Sequence, residues 1–266
     1  MFPEPNTSDR VEHPRPDIEH WWAAKAMIAS YNHVYKAAYK TRYESRGPIG
    51  VSIYGDAPIA SFQYEFLALS ENNDSVLDAV FDYPIPDGKK YVIDVFHAQP
   101  SNPALKLHYT RFGYEFVRTG LLLGADLPNP SAVPDNIQKA ETIQQAETAN
   151  QSLAREGERI HLETLRDAHI HSFYATVDGE AAGWVQLVTV SSGSGYIHQL
   201  YVLKAYRRRR LGTALVQCAQ RQALALGLKR MVLIPSEMGL PLYRRLGYHP
   251  LLYFSVFRLA QDHAQE

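Results

Sequence analysis

Residues Tyr201–Gln217 read YVLKAYRRRRLGTALVQ, four consecutive arginines running into Leu-Gly-Thr-Ala and then an apolar pattern at helical spacing. The preceding YIHQLYVL has the β-branched and aromatic content of a strand, so the arginines fall where a strand ends and a helix begins. Such a junction makes an anion site. The first helical N–H groups lack intrahelical acceptors and the helix dipole adds positive potential there. Gly212 lets a ligand approach the backbone closely, and neighbouring arginines can pair bidentately with phosphate oxygens. The stretch therefore predicts a di- or triphosphate-bearing ligand on the amides of roughly Arg208–Ala214. The Gly-Lys-Ser/Thr ending of nucleotide-binding loops is missing, which argues against ATP or GTP.

Working outward, a helix is predicted from Gly212 to Leu226, closing at Gly227. RMVLIP reads as a strand, LPLYRRLG as a short helix and LLYFSVFRL as the last strand. Upstream, IHSFYATVDGE and AAGWVQLVTV are strands joined by an Asp-Gly turn. The order β-β-β-α-β-α-β predicts an α/β fold with a mixed sheet and helices on its faces. Before it, a long polar helix is expected from a cap at Asp135 to near Gly157, its thin apolar face making it a candidate spacer or homodimer contact.

The N-terminal half follows a similar plan. Asp17–Ser45 reads as helix, with Tyr31, Tyr35, Tyr39 and Tyr43 recurring every four residues along one face. That stripe is either a packing surface or an aromatic wall for a pocket. Strands follow in VSIYGD and PIASFQYEFLAL, then a short helix over Ser75–Tyr83 with Ser75 and Asp78 placed like a capping box, the strand KYVIDVF, a helix ending at Gly113 and another strand. Within the two halves, HYTRFGYEFV (108–117) and LYRRLGYHPL (242–251) match at Tyr109/Tyr243, Arg111/Arg245, Gly113/Gly247 and Tyr114/Tyr248. Shared context makes this an internal repeat, and nothing between Leu67 and Asp78 replaces the arginine–glycine turn.

The whole chain fits this frame. Its 266 residues carry a formal net charge of −1 and 45% hydrophobic residues, ample for two small domains and without the basic excess of a dedicated nucleic-acid binder. One cysteine excludes an intrachain disulfide and suits a reducing compartment. The opening MFPEPNTSDRVEHPRPD does not read as a signal peptide, and no apolar run is long enough to cross a bilayer; the expected setting is cytoplasmic. The expected division is a flexible tail over 1–16, a first domain over 17–127, a proline-rich linker at 128–134 and a second domain over 135–266.

VLKAYRRRRLGTALV resembles motif A of the GNAT superfamily of N-acetyltransferases, which hold the pyrophosphate of acetyl-CoA on such a loop. That motif reads Gln/Arg-x-x-Gly-x-Gly/Ala. One register sets Arg207 first, Arg210 in place of the middle glycine and Gly212 last; a second runs Arg209-x-x-Gly212-x-Ala214. The first also aligns Leu215 with the helix leucine of the motif and is preferred. DGEAAGWVQL resembles the family's Asp-Gly hairpin and LYRRLGY its closing helix, so the likeness spans Phe173–Leu259. It implies the GNAT acyl-CoA N-acyltransferase fold in two tandem copies, the first degenerate and lacking the loop. It also implies an acetyl-CoA-dependent N-acetyltransferase acting on a primary amine of a small molecule or peptide through a ternary complex. A non-catalytic acyl-CoA-binding sensor is the alternative.

The same likeness implies roles. Arg207, Arg208, Arg209, Arg210, Leu211, Gly212, Thr213 and Ala214 would hold the pyrophosphate, and the backbone of Leu200, Tyr201 and Val202 the pantetheine arm, with the Val202 N–H as oxyanion donor. Tyr243 would protonate the departing thiolate, and Ser236 stands where the family has an asparagine to the pantetheine. Strand alternation puts His198 on the face of Leu200 and Val202, and it is the preferred base, with Tyr196 and Glu163 as weaker choices. His169 and His171 share a strand face but lack a third ligand, so no metal is expected. Cys218 reads as a small core residue.

Overall fold

An alanine-rich run with no glycine or proline forms helix α1, Trp21–Tyr39, whose Ala23, Ala24, Ala26, Met27 and Val34 are buried. The computed structural model describes residues 21–55, 57–58, 61–127, 134–190 and 193–260. The expected tail at 1–16 and most of the linker (128–133) lie outside them. Helix α1 stops earlier than its alanines suggest: Lys40 takes a left-handed φ of 58°, and Arg42–Arg46 becomes strand β1. Tyr43 thereby leaves the helical stripe, and its ring lies over Gly50 of β2, Ile49–Ile53.

The first half continues with β3 (Tyr64–Ala68), α2 (Asn73–Phe81), β4 (Tyr91–His97), α3 (Pro103–Arg111) and β5 (Tyr114–Asp126). Helix α2 is capped by Asn72, whose side chain accepts from the Ser75 N–H; Ser75 is inside the helix and not its cap. The second half holds β6 (Ile137–Lys139), α4 (Ile143–Leu153), β7 (Ile170–Val177), β8 (Glu180–Val190), β9 (Ser194–Val202), α5 (Leu211–Ala225), β10 (Arg230–Leu233), α6 (Leu240–Arg245) and β11 (His249–Leu259). Asp135 caps nothing, because Ile137–Lys139 pairs with β7. Thr142 starts the helix in a capping box with Gln145, so the polar helix is about half its expected length. Its inner face, Ala146, Ala149 and Leu153, is buried against Trp184, and it packs on the sheet as a wall.

Among the described residues eleven strands join one sheet in the order β1-β2-β3-β4-β11-β5-β10-β9-β8-β7-β6. The halves exchange their last strands: β11 lies antiparallel beside β4, and β5 lies antiparallel beside β10. The two exchanged strands then pair with each other from His249–Gly124 to Leu259–Tyr114. Both repeat segments form a short helix ended by a left-handed glycine, with φ 84° at Gly113 and 85° at Gly247. Helices α1 and α4 cover one face of the sheet and α2, α3, α5 and α6 the other. Among the described residues no helix is long and apolar enough to cross a membrane.

Candidate active site

Helix α5 begins without a side-chain cap. Its first intrahelical bond runs from the Ala214 N–H to the Arg210 carbonyl at 3.1 Å, leaving the amides of Leu211, Gly212 and Thr213 without helical acceptors. Arg208 and Arg210 both sit in the left-handed region, at φ 65° and 61°. A non-glycine residue is held there at a cost of about 1–2 kcal/mol, so the loop makes a glycine-type turn at Arg210, the residue that the preferred register sets in place of the motif glycine. A Cβ on Gly212 would lie 2.9 Å from Leu242 Cδ1 and 3.8 Å from Val202 Cγ2, which fixes the start of α5 against α6 and the end of β9. Arg207 is half-buried and donates from Nε to the Val202 carbonyl at 3.0 Å, whereas Arg208, Arg209 and Arg210 are exposed.

The strand feeding this loop is half unpaired. Parallel pairing of β9 with β10 ends at Ile197–Leu233, yet β9 runs on to Val202 with only β8 beside it. The Leu203 N–H donates to Ala182 at 2.9 Å, so alternation turns the N–H groups of Leu200 and Val202 away from β8 and into the gap. Tyr243, on α6, is buried edge-on to Tyr248 at 5.6 Å, and burial pushes its phenol well up, keeping the proton on. The Ser236 hydroxyl accepts from the Gly239 N–H at 3.1 Å, engaged in starting α6.

His198 sits elsewhere than alternation implies. Gln186 pairs with Gln199 but Leu187 pairs with Ile197, so β9 bulges at His198. A bulge sets two residues opposite one and breaks the period of two. His198 and Gln199 consequently line the same cleft, while Leu200 and Val202 pack towards α5 on the other face. The His198 ring stands 5.4 Å from both Tyr31 and Tyr35. Its Nδ1 is buried without a hydrogen-bond partner, and burial lowers its pKa to about 4, so it is neutral near pH 7.

That cleft, about 550 Å³, lies between α1, the 154–161 segment, β8 and β9. The tyrosine stripe divides its tasks: Tyr35 and Tyr39 line the cleft, and Tyr31 packs edge-on to Tyr196 at 6.0 Å. Glu158, which sequence reading passed over, accepts at Oε2 from Trp184 Nε1 at 3.1 Å and Gln199 Nε2 at 3.2 Å. Gly157 turns the chain at φ 77°, and the Asn150 side chain pins Ile160 at both its N–H (2.8 Å) and its carbonyl (2.9 Å). The Tyr39 hydroxyl meets His161 Nε2 at 3.0 Å. The helix-stop glycine at 157 was the sole sequence signal for this turn, and periodicity says nothing about an acid just after it.

The remaining candidates lie apart. Tyr196 is fully buried in the core under α1. Glu163 lines a separate groove with His33 and His169. Those two rings stand 4.6 Å apart and His33 Nδ1 is 3.0 Å from Asp167 Oδ2, while His171 Nε2 is buried without a partner. Among the described residues no group of three or more His, Cys, Asp or Glu side chains could hold a metal ion. Burial pushes the Cys218 thiol up to about 11, leaving it a poor nucleophile.

A splayed strand, a bulge and an uncapped arginine turn thus meet at the end of β9. Residues 137–248 match the model of the Acetyltransferase (GNAT) family. Among solved structures, a GCN5-related N-acetyltransferase from Kribbella flavida is similar at 18% identity and TM-score 0.65, over 90% of this chain and 95% of that one. A GCN5-related N-acetyltransferase from Sphaerobacter thermophilus is similar at 16% identity and TM-score 0.52, over 81% of each chain. A tandem GNAT protein from the clavulanic acid biosynthesis pathway is similar at 15% identity and TM-score 0.52, over 82% of each. These likenesses establish the fold, a single mixed sheet of the GNAT type. No curated protein sequence matches the chain.

Proposed function

We propose that the chain is an acetyl-CoA-dependent N-acetyltransferase that acetylates a primary amine of a small molecule or peptide in a ternary complex, in a cytoplasmic setting. One observation carries this reading: the unpaired end of β9 leads straight into an uncapped helix start among arginines, and the aromatic cleft meets the same strand at its bulge. The amides of Leu211, Gly212 and Thr213 with the arginine loop suit the pyrophosphate, and the gap beside Leu200–Val202 suits the pantetheine arm. Negative charge developing on the thioester oxygen would be met by the Val202 N–H, and Tyr243 would return a proton to the leaving sulfur. His198, uncharged and oriented by the bulge, would take the proton from the amine.

The N-terminal half supports a tandem arrangement with one degenerate member. It repeats the strand–helix–strand plan, but α2 is capped by Asn72, carries Asp74 in its first turn and follows a stretch, Leu67–Asn72, without arginine. An occupied, acidic helix start repels phosphate. The Ser236 hydroxyl, already engaged at α6, and the bulk of Arg210 favour the second reading, a CoA-binding sensor without turnover. Calorimetric titration with acetyl-CoA, run beside an Arg207→Ala, Gly212→Trp variant, tests the ligand. Micromolar binding that the variant loses supports both readings, and thiol release with an amine panel then separates them. Absence of binding to acetyl-CoA and to CoA removes both.

A further inference from the structure

Resting on that cleft being the acceptor side of the reaction, we infer that Glu158 holds the substrate ammonium and sets specificity, and that the acceptor is a monoamine on a flat aromatic or apolar body. Among the described residues Glu158 is the single carboxylate lining the cleft. Both of its protein hydrogen bonds arrive at Oε2, from Trp184 and Gln199, which orients the carboxylate and leaves Oε1 for a ligand cation. Gln199 is the chain neighbour of the bulged His198, so Glu158 is tied to the strand whose unpaired end borders the gap.

The rest of the lining selects what the ammonium is attached to. Tyr35, Tyr39, Trp184 and His161 present ring surface, which suits a flat apolar body and attracts a cation through the ring faces. A second cationic group has no second carboxylate to meet and encounters Arg159, which lines the cleft and is exposed. The segment is built before any ligand arrives, since Gly157, Asn150 and the Tyr39–His161 pair hold residues 157–161 in place. A polyamine or a polycationic sugar amine is therefore disfavoured.

The test is calorimetric binding of 2-phenylethylamine to the CoA-saturated protein, beside the uncharged isostere 2-phenylethanol and the polycation spermidine. Glu158→Gln keeps the side-chain shape and an acceptor for Trp184 and Gln199, and Glu147→Gln, exposed on α4, is the control. The amine should bind the wild type and the Glu147 variant alike, and the Glu158 variant and the alcohol should each bind at least tenfold more weakly. Equal acetyl-CoA affinity of the two variants would show that the fold is intact. The inference is overturned if the amine does not bind, if Glu158→Gln binds it as well as the wild type, or if spermidine binds more tightly. Glu158-dependent amine binding in a protein that ignores acetyl-CoA would sink the transferase reading and leave the amine site standing.

Discussion

Replacing Arg210 by glycine should make the protein more stable, although it removes a side chain and adds backbone freedom. Arg210 holds φ 61° and ψ 11° ahead of α5 and makes no side-chain capping bond. An L-residue in that region is strained by about 1–2 kcal/mol, and glycine is not. Glycine's extra unfolded-state entropy returns about 0.5–1 kcal/mol of this. The net expectation is a gain of about 0.5–1 kcal/mol, a rise in Tm of about 2 °C for a chain of this size. Arg209→Gly is the matched control, since Arg209 is equally exposed, has no positive φ and loses a contact over the Tyr206 ring at 5.5 Å. That variant should lose about 0.5–1 kcal/mol by the same entropy term. Urea unfolding of both beside the wild type reads the difference directly. If Arg210→Gly proves no more stable than Arg209→Gly, the left-handed turn and the strain argument are wrong.

Four further outcomes are expected. Arg207→Ala removes the bond to the Val202 carbonyl and a guanidinium from the loop, and should weaken acetyl-CoA binding about 10- to 100-fold by calorimetry. His198 has its pKa lowered from 6.5 to about 4, so the unfolded chain binds the extra proton and stability falls as pH drops from 6.5 towards 4, by up to about 3 kcal/mol. His198→Gln should reduce that acid limb in unfolding curves without abolishing it, since burial also lowers His97, His161 and His171, and an unchanged limb would contradict the burial of the ring. Tyr243→Phe should lower kcat at least tenfold with little change in acetyl-CoA affinity, while Tyr109→Phe, which gives up a 3.4 Å bond to Asn73, should leave kcat as it was. Gly120→Ala places a Cβ 2.1 Å from Phe254 Cζ, at a pair joining the two exchanged strands, and should cost about 1–3 kcal/mol in a thermal melt of the whole chain.

The strand exchange gives that last substitution its interest. Because β11 completes the sheet beside β4 and β5 completes it beside β10, neither half closes its own sheet. A lesion at the junction of β5 and β11 is therefore expected to unfold both halves in one transition. Glu65 and Asp94 are both buried beneath α1, which pushes their carboxyls up, and Tyr54 donates its hydroxyl to Glu65.

Local chemistry decided much of this protein before any folding was considered. The arginine–glycine turn, the strand before it and the helix after it are set by propensity and by the termination of hydrogen bonding, all within about twenty residues. The paired glycines at 113 and 247 were legible for the same reason: a helix stop is a neighbour-to-neighbour event, and both take φ near 85°. Three features needed the tertiary structure. The helix of tyrosines ends at Lys40 because residues 42–46 find a strand partner in β2, which alanine content cannot announce. His198 turns into the cleft because β8 and β9 differ by one residue in register, and a bulge belongs to a pair of strands, not to either sequence. Glu158 becomes part of a site only when Trp184 and Gln199, 26 and 41 residues further along the chain, bring their donors to one oxygen. Sequence fixes what each segment can do with its neighbours; which distant groups converge is settled by how the sheet closes.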